Sequence, residues 1–326
     1  MPLLQSLASL ESLSCLGIPW TGSPSEWRTI PPILLPVCSA QGQVSDASGI
    51  RFTLKFSRAL GEGTFGKVDA FTRIQPDGIE RLVALKRPKH PGIEFLLEAL
   101  VQWRLRACLE DFSLGFCIPQ VYDIFRDQRT TAVWFTMEAY EPCLLSAWIL
   151  RPSSTPLFGT VLLQIALVLE VLEKEFLFDH RDLKVNNILI VERPVSIDIE
   201  WKGQKRTLHF PFHIVLVDFG FSCQGHFIDI RSGTGLPPLD PGPKVGRDFF
   251  QILVSLWSVR ALRENVEGSW GAWIRACLGS YVTWIDRYST IDWMYTVTDQ
   301  GGFTAPRCAP SAVIGECMTR LERGGT

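Results

Sequence analysis

The sequence predicts an α+β protein in two parts, a small antiparallel sheet carrying one helix followed by a larger, mostly helical part. Apolar–polar alternation is concentrated in residues 49–139, a 3.6-residue apolar period dominates 158–177 and 247–263, and 326 residues is close to two units at about 150 residues per domain. Residues 1–48, rich in Ser, Pro and Gly, are expected to be an N-terminal extension. Residues 49–139 would form the sheet part and 140–326 the helical part, with an insert at about 191–213.

The composition narrows the class. A net charge of -2 with 20% charged residues excludes a general nucleic-acid binder, so no direct nucleic-acid binding is expected, and a 46% hydrophobic fraction excludes a disordered chain. Nine scattered cysteines without a CxxC pair argue against a disulfide framework or a zinc site and for a reducing, intracellular setting, cytoplasmic or nuclear. The first twenty residues space Leu4, Leu7, Leu10, Leu13 and Leu16 at threes but lack a basic start. They read as a short amphipathic helix or a frayed tail, with a docking or membrane-surface helix as the alternative, rather than as a signal peptide. The runs VLLQIALVLEVL and FQILVSLWSV are too short and too interrupted to span a bilayer, so no transmembrane segment is expected.

The elements follow in order. IRFTLKF opens the first strand. GEGTFG then places Gly61, Gly63 and Gly66 between two strand-like runs, and ERLVALKR is the next strand. GIEFLLEALVQWRLRACLE has helical spacing, and VYDIF and TAVWFTME return to strand. NILIV and HIVLVDFG are short strands between the long helices. VSIDIEWKGQKRTLHF reads as a hairpin turning at Lys202–Gly203, its KGQKR tip either merely exposed or a basic contact for a partner. Tryptophans 257, 270, 273, 284 and 293 read as core of the final helices.

Three stretches concentrate chemistry. A GxGxxG pattern also occurs in dinucleotide folds, where it opens a helix. Here a strand-like run follows, which suggests a hairpin flap whose glycines let backbone N–H groups approach phosphate oxygens, or simply an ordinary turn. Lys86 ends a strand, and a carboxylate on the following helix could hold its ammonium. Glu98 is the preferred partner, with Glu94 one turn earlier as the competitor. FDHRDLKVNNILI packs Asp182, Lys184 and Asn187 just before an apolar strand, where unpartnered charge would be costly.

GEGTFGKV, VALK, HRDLKVNN and the DFG at 218–220 occur in an order that resembles eukaryotic-type protein kinases, over about residues 58–260. The resemblance implies a bilobal protein-kinase fold, with ATP and Mg2+ in the cleft. It also implies roles. Lys86 and Glu98 would form the phosphate-binding pair, Asp182 would take the proton of the attacking hydroxyl, Lys184 would neutralise the transferring phosphoryl, and Asn187 with Asp218 would hold magnesium. Val68 and Ala84 would sandwich the adenine, Met137 would be the gatekeeper, and the backbone of Glu138 and Tyr140 would pair the ring. Lys184 follows the serine/threonine pattern, so the implied partner is a protein substrate with a hydroxyl acceptor.

Two departures stand out. No Ala-Pro-Glu follows DFG before Asp248, which resembles the aspartate that braces the catalytic loop. This puts control by loop phosphorylation in doubt, although Arg181 is kept and Ser232 and Thr234 could carry phosphate. The insert with a short activation segment resembles haspin-like kinases and some compact kinases of large DNA viruses. A pseudokinase scaffold and a small-molecule kinase are the alternatives, although the set Lys86, Asp182, Asn187 and Asp218 is intact.

Overall fold

A computed structural model describes residues 35–90, 95–141, 143–224, 228–229, 243–287 and 292–323. Within them the chain forms two compact units, one from residues up to 104 with 119–140, the other from 105–118, 141–229 and the C-terminal remainder. Both helices and sheets are present, so the class is α+β.

The first unit is built on seven strands: β1 (Val37–Cys38), β2 (Gln43–Asp46), β3 (Gly49–Glu62), β4 (Gly66–Ile74), β5 (Glu80–Pro88), β6 (Val121–Asp127) and β7 (Val133–Glu138). They pair in the order β1-β2-β3-β4-β5-β7-β6, and a parallel pairing of Val37 with Arg126 and Cys38 with Asp127 closes the sheet into a barrel. This differs from the small antiparallel sheet expected. The sheet begins within the segment read as an extension, because β1 and β2 cover the edges that β3 and β6 would otherwise leave unpaired. Bulges at Phe56–Arg58 and Ala59–Gly61 bend β3.

Strand parity divides the sheet into two faces. Cys38, Val44, Phe52, Leu54, Val83, Leu85 and Phe125 fill the interior, with Phe52 and Phe125 edge to face at 5.9 Å. Val68, Ala84, Lys86, Phe135 and Met137 lie on the opposite face, since Val68 pairs with Lys86, Ala84 with Met137 and Lys86 with Phe135. Helix α1 (Leu96–Asp111) meets that face: Phe95, just before it, packs on Phe135, and Gln102 donates to the Met137 sulfur.

In the second unit, α2 (Leu145–Ile149) precedes α3 (Phe158–Phe176). Helix α3 with its leading turn, Thr155–Phe176, is long and apolar enough to cross a membrane by length and composition alone. Val161, Leu162, Ile165, Leu169 and Leu172 are buried within the unit, and buried Gln164 clamps backbone at Phe212 and Ile214, as a core helix does. The helix ends at Leu177, whose φ of 49° is a left-handed cap.

Strand β8 (Phe178–Asp179) leads into the polar loop, which returns in β9 (Ile188–Val191). The insert is a self-paired hairpin of β10 (Val195–Trp201) and β11 (Gln204–Phe210), turning at Lys202 and Gly203 with φ of 52° and 73°. Strand β12 (His213–Leu216) pairs with β9, and β13 (Cys223–Gln224) with β8 and with β14 (Ile228–Asp229). Then come α4 (Arg247–Trp257), α5 (Arg260–Leu278), α6 (Tyr281–Arg287), α7 (Asp292–Thr298) and α8 (Pro310–Glu322).

Trp257 and Trp270 are core, as expected. The Trp270 ring fills the space a side chain at Gly159 would need, 2.7 Å from an added Cβ. Trp284 departs from the expectation: it is 46% exposed, on the short surface helix α6, with its ring edge to face against Tyr281. The side chain of Trp293 lies outside the described residues, as do Glu94, Ser232, Thr234 and the leucine-spaced start.

Candidate active site

Lys86 and Glu98 meet. The ammonium lies 2.5 Å from the Glu98 carboxylate, both groups are buried, and the Phe95 ring centroid is 5.0 Å from the lysine nitrogen. Lys86 points from the outer sheet face and Glu98 from the first turn of α1, where a carboxylate also suits the helix dipole. A buried pair of this kind holds its lysine in one place at the cost of desolvating both charges.

The glycine-rich stretch is a hairpin flap, with Gly63–Phe65 connecting β3 to β4. The Gly63 N–H donates to the Gly66 carbonyl at 2.9 Å, the carbonyls of Gly63 and Phe65 accept from Lys89, and Lys89 also pairs with Glu62 at 2.6 Å. The three glycines face different surroundings. A Cβ on Gly66 would lie 2.8 Å from the Phe95 ring, so packing demands glycine there. Nothing lies near a Cβ on Gly61, and the nearest atom to one on Gly63 is 3.9 Å away, so these two leave open space above the backbone. Val68 is half-buried, and Ala84 and Met137 are buried on the face that carries Lys86. The Glu138 N–H donates to the Gln120 carbonyl at 2.8 Å. Tyr140 follows two residues on, at the end of this unit.

The second constellation is in the other unit. Both Asp182 carboxylate oxygens lie 3.0 Å from the Lys184 ammonium, and Asn187 Nδ2 donates to the Asp182 carbonyl at 2.8 Å and to Oδ2 at 3.2 Å. With both amide hydrogens directed at Asp182, the side-chain oxygen of Asn187 is its remaining polar atom. The Val217 N–H donates to the backbone carbonyl of Asn187 at 3.0 Å, which ties the segment carrying Asp218 to the loop. Asp218 itself has φ of 69° and Arg181 has φ of 64°, left-handed conformations that residues with a Cβ seldom adopt and that concentrate at functional loops.

A polar stripe on α4 holds the loop. Asp248 accepts the N–H groups of His180 and Arg181 at 2.7 and 2.9 Å, Gln251 that of Leu183 at 3.3 Å, and the Ser255 hydroxyl that of Val185 at 3.1 Å. Gln251 is in turn held by Thr298. His180 bonds the Val217 carbonyl at 3.1 Å and packs on Phe219, 5.1 Å between ring centroids. Asp248 was expected as a brace. Gln251 and Ser255 were missed, though spacings of three and four residues in the otherwise apolar RDFFQILVSLW place all three on one helix face.

Beneath the loop, Asp179 accepts from the Lys244 N–H at 2.7 Å and pairs with Arg247 at 3.3 Å. Burial, then repulsion from Asp248, pushes the Asp179 carboxyl well above the usual carboxylate range. Burial also raises Asp248. Glu173, at the end of α3, is pushed up to about 9 by burial and by its neighbours Asp248, Asp179 and Glu170.

The oxygen groups at this loop are of a kind that could hold a hard divalent cation. Among the described residues no three His, Cys, Asp or Glu side chains gather as an all-protein metal site. The Asp218 carboxylate and the side-chain oxygen of Asn187 are the kind of sparse oxygen set that could hold magnesium when phosphates and water complete its shell.

A family model described as poxvirus serine/threonine protein kinase matches residues 153–231, which contain α3, the Asp182 loop, the hairpin insert and Asp218. The match supports a compact, viral-type serine/threonine kinase. No curated protein matches the chain.

Proposed function

We propose that the chain is a serine/threonine protein kinase with a bilobal protein-kinase fold that transfers the γ-phosphoryl group of Mg-ATP to a protein hydroxyl. The observation that carries this reading is the Asp182–Lys184–Asn187 arrangement, a buried carboxylate oriented by an ammonium and an amide on a loop that α4 holds through four backbone N–H groups.

In this reading, the acceptor hydroxyl donates its proton to Asp182 as its oxygen bonds to the γ-phosphorus and the bond to the β-phosphate oxygen breaks. Lys184 offsets charge on the transferring group. Lys86, oriented by Glu98, binds phosphate oxygens, and the open backbone at Gly61 and Gly63 lets N–H groups approach them. Val68 and Ala84 contact the adenine, Met137 limits the pocket, and the backbone of Glu138 and Tyr140 pairs the ring. Asp218 and the side-chain oxygen of Asn187 would hold magnesium, which neutralises phosphate charge when bound. Positioning and electrostatics carry most of the rate in such a site.

The test is transfer of labelled γ-phosphate from Mg-ATP to a mixed protein acceptor set, followed by phosphoamino-acid analysis. Wild type should yield phosphoserine or phosphothreonine, with Asp182→Ala reduced by about 10² to 10⁴ and Asp218→Ala inactive. Folded wild type that binds ATP but transfers nothing would instead indicate a binding scaffold. Label appearing only on small alcohols would indicate a metabolite kinase.

A further inference from the structure

Lys89 stands just past the end of β5, three residues after Lys86, and meets the glycine flap at three places. Its ammonium pairs with the Glu62 carboxylate at 2.6 Å and donates to the Gly63 carbonyl at 3.2 Å, and its backbone N–H donates to the Phe65 carbonyl at 2.9 Å. The base of the flap is fixed by packing instead. The Phe95 ring lies 2.8 Å from where a Gly66 Cβ would stand, and the centroid of the same ring is 5.0 Å from the Lys86 ammonium. The flap is thus seated on Phe95 at its base and tied to Lys89 at its turn.

A half-exposed ion pair such as Lys89–Glu62 is worth little when it stands alone. This lysine also takes two main-chain carbonyls, and that fixes directions. A trans peptide turns its carbonyl and the following N–H to opposite sides. With the Gly63 and Phe65 carbonyls on Lys89, the N–H groups of Thr64 and Gly66 are turned away from it. Gly61 and Gly63 otherwise leave the backbone free to turn, so a flap of this composition needs an outside tie to keep one orientation.

We propose that Lys89 is a positioning residue for the nucleotide. Its ammonium latches the flap so that the Thr64 N–H is held in one direction, as a donor for a phosphate oxygen, before ATP arrives. Lys89 acts through Gly63 and Glu62 rather than on the phosphates themselves. A flap ordered in advance loses less freedom on binding, which is how preorganisation raises affinity. The phosphate role rests on the kinase reading, whereas the latch is a property of the flap alone.

The test compares wild type with Lys89→Met, Lys89→Arg and Lys67→Met. Methionine keeps the length of the side chain and the backbone bond to Phe65 but removes the ammonium. Lys67 pairs with the other Glu62 oxygen at 3.6 Å, so its methionine variant removes the same charge from the same carboxylate and controls for electrostatics. Hydrogen–deuterium exchange of the nucleotide-free chain, read on peptides covering residues 61–66, should be faster in Lys89→Met alone, with urea midpoints alike in all four proteins. In calorimetry and steady-state kinetics with Mg-ATP, Lys89→Met should raise Kd and KM for ATP about tenfold, the effect of losing one hydrogen bond from a charged donor. The fall in kcat should be much smaller, which is the mark of lost binding rather than lost chemistry. Lys89→Arg should recover most of the affinity, and Lys67→Met should stay near wild type. Unchanged flap exchange in Lys89→Met, or an equal loss of affinity in Lys67→Met, would overturn the proposal. So would a wild type that binds ATP beside a Lys89→Met that binds it equally. A wild type that binds no ATP is a different failure, overturning the kinase reading and the phosphate role together.

Discussion

Lys86 serves both stability and chemistry, and the two can be separated. Replacing Glu98 by Ala removes the carboxylate from a buried ammonium, which should cost about 3–5 kcal/mol in urea unfolding. The double variant Lys86→Met, Glu98→Leu removes both charges, so it should recover most of that loss while phosphoryl transfer stays abolished. A double variant as unstable as Glu98→Ala would show that the pair itself holds the fold. The glycines separate in the same way. Gly66→Ala should destabilise by about 1–3 kcal/mol through the Phe95 ring, and less in a Phe95→Leu background, because residues in contact are not additive. Gly63→Ala should leave the unfolding midpoint unchanged and raise KM for ATP. The motif in the sequence showed where glycines were wanted but not why each was, since Phe95 lies 29 positions from Gly66 and only the fold brings them together.

At the scale of elements, α4 and the end of α3 meet at buried carboxylates whose ionisation opposes folding. The Glu173 carboxyl rises from 4.5 to about 9, so the folded chain holds a proton that the unfolded chain releases above pH 4.5. Its stabilising contribution is complete below that pH and is lost as pH rises through about 9. Glu173→Gln should therefore flatten the fall in stability across that window and be the more stable protein at its alkaline end, as read from urea midpoints against pH. Parallel curves for the two proteins would contradict this. Ser255→Ala should cost about 1–3 kcal/mol by leaving the Val185 N–H buried without its acceptor. The long helices, the hairpin and the polar loop were legible, because period and turn chemistry are local signals. The brace was legible only on the helix side, since the N–H groups it serves are 67 to 70 residues away.

At the scale of the molecule, each unit is completed by a segment near a chain end. Helix α8 closes the second unit: Arg320 stacks 4.1 Å from the Trp270 ring centroid, and Glu322 receives Trp201, Lys202 and Arg206 of the hairpin. The basic tip is thus partly neutralised within the chain. Strands β1 and β2 close the first unit, and they were the least legible part of the fold. Two- and four-residue strands in a segment rich in Ser and Gly carry no period of their own, and pairing with β3 and β6 decides their conformation. If the closure is structural, starting the chain at Ser48 should do more than remove a tail. It would uncover Phe52 and Phe125, delete buried Cys38 and Val44, and leave β3 and β6 as open edges. Burial of a side chain such as Val44 alone is worth about 1.5–3 kcal/mol, so the shortened chain should unfold at lower urea and self-associate in proportion to concentration. Val44→Asp in the full chain should show the same loss of stability with the edges still covered, separating the core contribution from edge pairing. A chain from Ser48 as stable and monomeric as the full-length protein would return residues 37–46 to the status of an extension.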